Sequence, residues 1–449
     1  MTDTAMQPDV TGPVFTPEDA GYAEEIAGFQ TAYTHRPAFV VGARHAEDVR
    51  AAVEFAARHD LAVAVQSTGH GLSVAVAGGV LITTGRMDAI TVDPRTRTAR
   101  VGAGVRAGAL VEAAAGYGLA PLNGSSPSVG LVGYVLGGGL GLLAREFGYA
   151  ADHVRSLDLV TADGRMRTLT QGDELFGAVL GSGGNFGVVT GLELDLVPVT
   201  EIYGGQLVFD TPLVGAALEA WRTWTAIVPS ELTSTIAVLT YPDIAPVPDS
   251  LRGRHVASIR IAFEGPDEEG ERWAAPLRQI GPRLRDDLRT MPYAQSHTIH
   301  SDPPFPHAYA ATNALLSELT PQGLSALRAL TAPGGRVDAV IDIRHLGGAL
   351  RHGGCTSIDH RDADYLVRVI TGPGDGDRAP DGLAAVREAL APWTIGHSLA
   401  FLYGAGGAAD AAQTAAGYSP HTYRRLTAAK AKYDPRNMFR ANRNIAPGS

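Results

Sequence analysis

Gln66-Ser67-Thr68-Gly69-His70-Gly71-Leu72-Ser73 is the stretch on which the reading of this chain turns. The residues before it, Leu61 to Gln66, have strand character and run straight into the glycines. Two further glycine-rich segments follow, Asn123 to Gly141 (NGSSPSVGLVGYVLGGGLG) and Gly181 to Thr190 (GSGGNFGVVT). The chain closes on an Asn-rich end, Lys432 to Pro447 (KYDPRNMFRANRNIAP). Glycine lets backbone N–H groups approach a ligand that any side chain would hold off. Several such loops, one of them carrying a histidine, imply a surface built around one large phosphate-bearing cofactor.

Bulk properties narrow the field. The chain has 449 residues, enough for two or three folding units. Acids outnumber bases 47 to 37, a mild and scattered excess that argues against nucleic acid or an anionic membrane as partner. A single cysteine, Cys355, excludes an internal disulfide framework and a Cys-rich metal centre. MTDTAMQPDV lacks the basic and apolar regions of a secretion signal, and no stretch is suited to span a bilayer. The expectation is a soluble, cytoplasmic protein. Its oligomeric state is left open.

Along the chain, residues 1–31 read as a loosely ordered lead-in. Short strands are expected at 38–41, 61–66, 79–83, 99–102 and 188–196. Helices are expected at 45–59, where Val49, Ala52, Val53 and Ala56 share a face, and at 106–115. Asp163-Gly164 between two apolar runs signals a hairpin. From about Ile202 the texture changes to longer strands, at 233–240, 256–264, 337–345, 365–371 and 398–403. Helices at 213–227, 321–330 and 383–390 lie among them. The fold class is α+β: a mixed first unit at 32–200, an antiparallel sheet backed by helices at 201–404, and a C-terminal segment, 405–449, returning to the first unit.

Gly102-Ala103-Gly104-Val105-Arg106-Ala107 fits the loose dinucleotide fingerprint, but the acid that should follow about 20 residues later is missing. A simple turn is the competing reading. A P-loop is excluded, since the only lysines, Lys430 and Lys432, follow no glycine. His345, His352, Cys355, His360 and Asp362 match no common zinc spacing, so no metal is expected.

Taken together, the motifs QSTGH (66–70), RMDAITVDPRTRTARVGAGVRAGAL (86–110), LGGGLGLLAREFGYAADHV (136–154), DELFGAVLGSGGNFGVVT (173–190) and RRLTAAKAKYDPRNMFRANRNI (424–445) give the chain a specific resemblance. It resembles the berberine-bridge-enzyme-like flavoproteins of the vanillyl alcohol oxidase/p-cresol methylhydroxylase superfamily. The resemblance covers most of the first half and the last thirty or so residues; the middle matches weakly. It implies a two-domain PCMH-type fold holding FAD between a cofactor domain and a substrate domain. Ser67, Thr68, Gly69, His70, Gly71, Leu72 and Ser73 would wrap the pyrophosphate. Ser126, Val129, Gly130, Gly133, Tyr134, Gly137 and Gly138 would form the other wall. Gly187, Val188 and Val189 would lie near the adenine, and Asn442 and Asn444 near the isoalloxazine.

The resemblance further implies a bond from His70 to the flavin 8α carbon; a hydrogen-bonding loop histidine is the plainer alternative. Many relatives carry a second link from a cysteine in G-x-C-P-T-V-G. Here that segment is Gly124-Ser125-Ser126-Pro127-Ser128-Val129-Gly130, so Ser126 stands where the thiol would be. A hydroxyl is a far poorer nucleophile than a thiolate, and a single linkage is expected. Tyr134 replaces the usual histidine. A valine at 129, rather than a leucine, accompanies use of oxygen in such proteins.

For chemistry, alternation along 337–344 puts Asp338, Asp342 and Arg344 on one face. That face is either a polar pocket lid or a solvated sheet surface. Tyr403 falls near a strand where relatives set Tyr or Asn against substrate, and Arg344 is a candidate to stabilise its phenolate. The resulting expectation is an FAD-linked oxidase acting on an alcohol or amine carbon of a small organic molecule, a secondary metabolite, with molecular oxygen as acceptor. A redox-neutral cyclase or isomerase is the alternative, and a flavin-binding protein without turnover the third reading.

Overall fold

The computed structural model describes residues 7–245, 247–372, 379–403, 411–441 and 443–448. Three sheets organise them. The first has four strands in the order Val14–Phe15, Phe39–Gly42, Val80–Thr83, Val63–Gln66. The last three run parallel, and all four residues of Val80–Thr83 are buried, as a parallel strand covered on both faces requires. Helix Ala46–Arg58 buries Val49, Ala52, Val53 and Ala56 as their spacing predicts. It also buries Asp48, whose carboxylate accepts from the N–H groups of Thr11 (2.7 Å) and Arg44 (2.9 Å) at the helix start.

The second sheet is antiparallel, in the order Ile90–Asp93, Thr98–Gly102, Val188–Asp195, Val154–Val160, Met166–Thr170. Asp163-Gly164 does turn a hairpin there, with Gly164 at φ 73°. Thr98–Gly102 sits inside this antiparallel sheet, which removes the dinucleotide reading of Gly102 and Gly104. A Cβ on Gly102 would stand 2.2 Å from the Met87 carbonyl oxygen, and one on Gly104 2.2 Å from that of Thr84. These glycines serve close backbone packing.

The third sheet has nine strands, all antiparallel, with Glu201–Asp210, His255–Phe263, Leu232–Thr240, Ala339–His345, Tyr365–Thr371 and Ala310–Leu316 side by side. Helices Val214–Thr225 and Pro321–Thr331 cover one face, with Trp221, Leu218, Leu324 and Leu327 packed on Ile236, Ile259, Ile341 and Ile343. The other face looks toward the first two sheets. Helix Pro420–Tyr433 returns to the first half, where Leu426 and Ala429 join the core of Leu131, Val135 and Phe186.

Three expectations need correction. Residues 7–31 are not loose: Val14–Phe15 pairs with Val40 and Val41, and Gln30 is fully buried. The stretch 398–403 is a short 3-10 turn at Leu399–Phe401 rather than a strand, with one bridge from Tyr403 to Ala311. Asp338 lies outside strand Ala339–His345 and is exposed. Strands Glu201–Asp210 and Ala310–Leu316 and helix Asp267–Arg278 were not expected from the sequence.

Candidate active site

Strand Val63–Gln66 delivers the chain into the loop Ser67–Ser73, and the loop is pinned from behind. Gln66 donates through Nε2 to the carbonyls of Ile26 (3.1 Å) and Ala27 (3.2 Å). The N–H groups of Phe29 and Gln30 donate to the carbonyls of Thr68 and Gly69. Gly69 takes φ 69°, and a Cβ there would sit 2.7 Å from Gly28 Cα, so only glycine fits. The loop opens onto a cavity of about 520 Å³.

Two other glycine segments complete the walls. A Cβ on Gly130 would lie 2.8 Å from Ser67 Oγ, so glycine sets how closely the first two walls approach. Gly187, at φ 152°, clears the Val160 carbonyl in the same way. More telling are Gly71, Gly133, Gly183 and Gly184. All four border the cavity, and a Cβ on any of them would meet nothing within 4 Å. The room a side chain would take there is left for a ligand. Ser67 Oγ, on the cavity wall, is buried without a partner among the described residues. Such a group suits the phosphates of a dinucleotide.

Of the residues expected at the cofactor, Ser67, Thr68, Gly69, His70, Gly71, Leu72, Ser126, Val129, Gly130, Gly133, Tyr134, Gly137, Gly187, Val188 and Val189 border this cavity. Ser73, Gly138 and Asn444 do not. Ser73 lies behind the loop, donating to the Leu402 carbonyl (2.8 Å) and accepting from Arg443 Nη2 (2.8 Å). Gly138 takes φ 108° against Ile358. Asn442 falls outside the described residues. Tyr134 donates to the Leu122 carbonyl (3.1 Å), and its ring packs against Gly124 and Gly139.

His70 is held on every side. Its Nδ1 lies 2.8 Å from Thr68 Oγ1 and its Nε2 3.2 Å from Ser128 Oγ, which in turn is 3.0 Å from Ser126 Oγ. Its ring stacks on Phe29 at 3.9 Å, and its carbonyl accepts from Tyr309 (2.6 Å). Burial first, then Arg106 and His307 nearby, push its pKa down to about 4. The imidazole is therefore neutral near pH 7, with a lone pair on one ring nitrogen. Cys355 is exposed and does not border the cavity.

At the sheet end, the cavity is bordered by Asp302, His307, Tyr309, Arg344, Arg368, Phe401 and Tyr403. Asp342 lies just behind, only 1% exposed. Its Oδ2 accepts from Arg344 Nε (3.0 Å) and forms an ion pair with Arg368 Nη2 (3.1 Å), and Arg260 Nη1 is 3.6 Å from Oδ1. Burial pushes the Asp342 pKa up, but the three guanidinium groups outweigh it and hold the carboxyl ionised. The solvated-face reading of this strand is thus overturned. Tyr403 is half-buried with its hydroxyl beside Arg368, and Tyr309 meets its ring edge-to-face at 5.6 Å. Burial raises its pKa by more than Arg368 and Arg344 lower it, so the phenol keeps its proton. Arg368, not Arg344, is the partner of that hydroxyl.

Sequence reasoning missed Phe29, Ser128, Asp302, His307, Tyr309, Arg368 and Arg443. One signal was present for Arg368: it is the lone charge in the apolar strand Tyr365–Thr371. Among the described residues no cluster of His, Cys, Asp or Glu could hold a metal, and no helix is long and apolar enough to cross a membrane.

Comparison with known proteins agrees with this architecture. Residues 37–170 match the family model for an FAD binding domain, and residues 413–446 match that for berberine and berberine-like proteins. The chain is 29% identical to (R)-6-hydroxynicotine oxidase of Paenarthrobacter nicotinovorans, over 98% of this chain and 97% of that protein. The crystal structure of 6-hydroxy-D-nicotine oxidase from Arthrobacter nicotinovorans superposes with a TM-score of 0.83 at 25% identity, covering 99% of this chain and 100% of the other. A chitooligosaccharide oxidase shares the fold with a TM-score of 0.84 at 21% identity, over 98% of each chain. The cavity, its glycine walls and both family matches lead to one conclusion: this chain is an enzyme of the berberine-bridge-enzyme-like, FAD-linked oxidoreductases, within the vanillyl alcohol oxidase/p-cresol methylhydroxylase superfamily.

Proposed function

We propose that this enzyme is an oxidase that dehydrogenates an OH- or NH-bearing carbon of a small organic molecule, a secondary metabolite, with oxygen as the electron acceptor and with FAD bonded through His70 alone. The observation that carries the reading is the continuity of one cavity, from the glycine-lined cradle beside a neutral His70 to the polar wall of Arg344, Arg368 and Tyr403. FAD, when bound, supplies the two-electron acceptor. The three glycine walls would hold it through backbone N–H groups. Arg344, Arg368 and Tyr403 would orient the substrate.

Val129 on the cavity wall supports oxygen as acceptor. Substrate should bleach the yellow protein anaerobically, and admission of air should restore the colour within seconds and release hydrogen peroxide. Enzyme that stays bleached for minutes in aerated buffer would be a dehydrogenase, and a product of unchanged oxidation state would mark a redox-neutral reaction.

A single attachment follows from Ser126 at the second linkage position and from Cys355 outside the cavity. Cys355→Ser should leave flavin content unchanged, and peptide mapping should find flavin on His70 and on no other residue.

The proton that leaves the substrate heteroatom needs an acceptor when the substrate is an alcohol; a neutral amine needs none. Tyr403 is protonated at rest, so its contribution is a hydrogen bond that orients the heteroatom rather than phenolate base catalysis. Tyr403→Phe should slow flavin reduction about tenfold or more, with the flavin spectrum intact. The deficit should be the same across neutral pH. Reduction at the wild-type rate would remove Tyr403 from the reaction.

A further inference from the structure

The sheet end of the cavity has a charge imbalance. Three guanidinium groups, from Arg260, Arg344 and Arg368, face two carboxylates, those of Asp342 and Asp302. Arginine does not lose its proton in proteins. His300, beside them, is kept uncharged by burial. Among the described residues, one positive charge is left over in a region where solvent reaches little: the Arg344 and Arg368 side chains are 9% and 16% exposed. An uncompensated charge so placed is costly unless an anion meets it.

Open donors remain on Arg344, which borders the cavity. Asp342 takes Arg344 only through Nε, and neither Nη atom of Arg344 has a partner among the described residues. Arg368 sets one Nη against Asp342 and lies beside the Tyr403 hydroxyl, and its Nε is buried without a partner among the described residues. Both guanidinium groups lie over one ring, with the Phe401 centroid 4.9 and 5.1 Å away. Asp342 thus holds two planar cations side by side with donors to spare. That is the arrangement a planar anion with two oxygens engages through paired hydrogen bonds.

We infer that the substrate carries a carboxylate, and that Arg344 and Arg368 bind it. This rests on the proposed reading of the cavity as the site of an oxidase and adds the class of substrate. Asp342 acts as the positioning residue that spaces the two guanidinium groups. Phe401, Tyr309 and Tyr403 supply a ring-lined slot for the body of the molecule.

The test uses the purified yellow holoenzyme and two matched pairs of probes: benzoate against benzamide, and hexanoate against hexanamide. Binding is read by perturbation of the flavin spectrum and by calorimetry. The carboxylate of at least one pair should bind about tenfold or more tighter than its amide, the gap expected for a charge-assisted bond. Arg344→Gln and Arg368→Gln should each erase that preference, and Arg344→Lys should retain part of it. The wild-type comparison stands even where a glutamine variant fails to fold. Equal binding of acid and amide in both pairs overturns the inference. So do glutamine variants that keep the preference for the acid while the flavin reduction potential moves, since the arginines would then serve the cofactor. Flavin content measured on the same samples reports separately on the FAD reading, so the two can fail independently.

Discussion

His70→Ala should yield protein whose acid-precipitated pellet is colourless, while the wild-type pellet stays yellow. No other single substitution in the cavity wall should have so complete an effect. The reasoning starts from the ring itself. A nucleophilic nitrogen must be unprotonated, and burial, with Arg106 and His307 adding to it, brings the His70 pKa down to about 4. Orientation comes next. Thr68 and Ser128 engage the two ring nitrogens, and Phe29 fixes the ring plane at 12° to its own. No thiol borders the cavity to substitute for it, and Ser126 is a weak nucleophile. The cradle does not depend on the imidazole, because the glycine walls and the Ser67 hydroxyl remain. The variant should therefore still take up some FAD, all of it released into the acid supernatant. Flavin that stays with the His70→Ala pellet would mean the bond is made elsewhere. Flavin released from the wild-type protein would mean there is no bond.

Asp342→Asn should be the most destabilising single exchange in the substrate half, by about 3–5 kcal/mol, the range for removing one member of a buried ion cluster. The side chain changes little in size, so packing is not the cause. The loss is electrostatic. Arg344 and Arg368 share the Asp342 Oδ2, and Arg260 stands 3.6 Å from Oδ1. An amide leaves three guanidinium groups facing one another with only Asp302 as counter-charge, and its NH2 offers donors where acceptors are needed. Asp338→Asn is the matched control. Asp338 is exposed and outside the strand, so its exchange should stay within about 0.5 kcal/mol of wild type. Denaturant midpoints of the two variants measure the contrast. If Asp342→Asn unfolds with the wild type, the cluster is not the electrostatic keystone its geometry suggests. Because folding holds the Asp342 carboxyl below its ordinary range, its stabilising contribution is present above the unfolded-state pKa of an aspartate and is lost as pH falls below it.

The two halves of the site differed in how far they could be read from sequence. The cofactor half was legible because glycine's message is local. Gly69, Gly130 and Gly187 each declare at their own position that backbone must pass close to backbone or ligand, and the cavity borders all three. Gly102 and Gly104 carry the same message for a different reason, packing on Met87 and Thr84, and only their sheet distinguishes the two uses. Phe29 was missed because nothing near residue 29 names its neighbours; its N–H donates to the Thr68 carbonyl and that of Gln30 to the Gly69 carbonyl, which sets the Phe29 ring on His70. The strand Asp342 belongs to was legible, and so was the alternation that sets Asp342 and Arg344 on one face. That face could equally have met water, and the exposed Asp338 beside it shows how little alternation alone decides.

By itself, then, the sequence determined a set of glycine loops with one histidine among them and a run of longer strands beyond residue 202; FAD, the linkage positions and the sheet facing the cradle came through the family resemblance that those motifs carry. Each motif is a property of a residue and its near neighbours along the chain. Only the tertiary structure decided which charges meet. Arg368 stands opposite Asp342 because strands Ala339–His345 and Tyr365–Thr371 pair in that register. Arg260 reaches the same carboxylate from two strands over, across Leu232–Thr240. Tyr403 arrives from a turn rather than from a strand. Register and strand order are set by long-range packing, and shifting either by one position would send these side chains to the helix-covered face. The same packing excludes water from the cluster, and that exclusion turns three ordinary arginines and two aspartates into a site with one positive charge to spare.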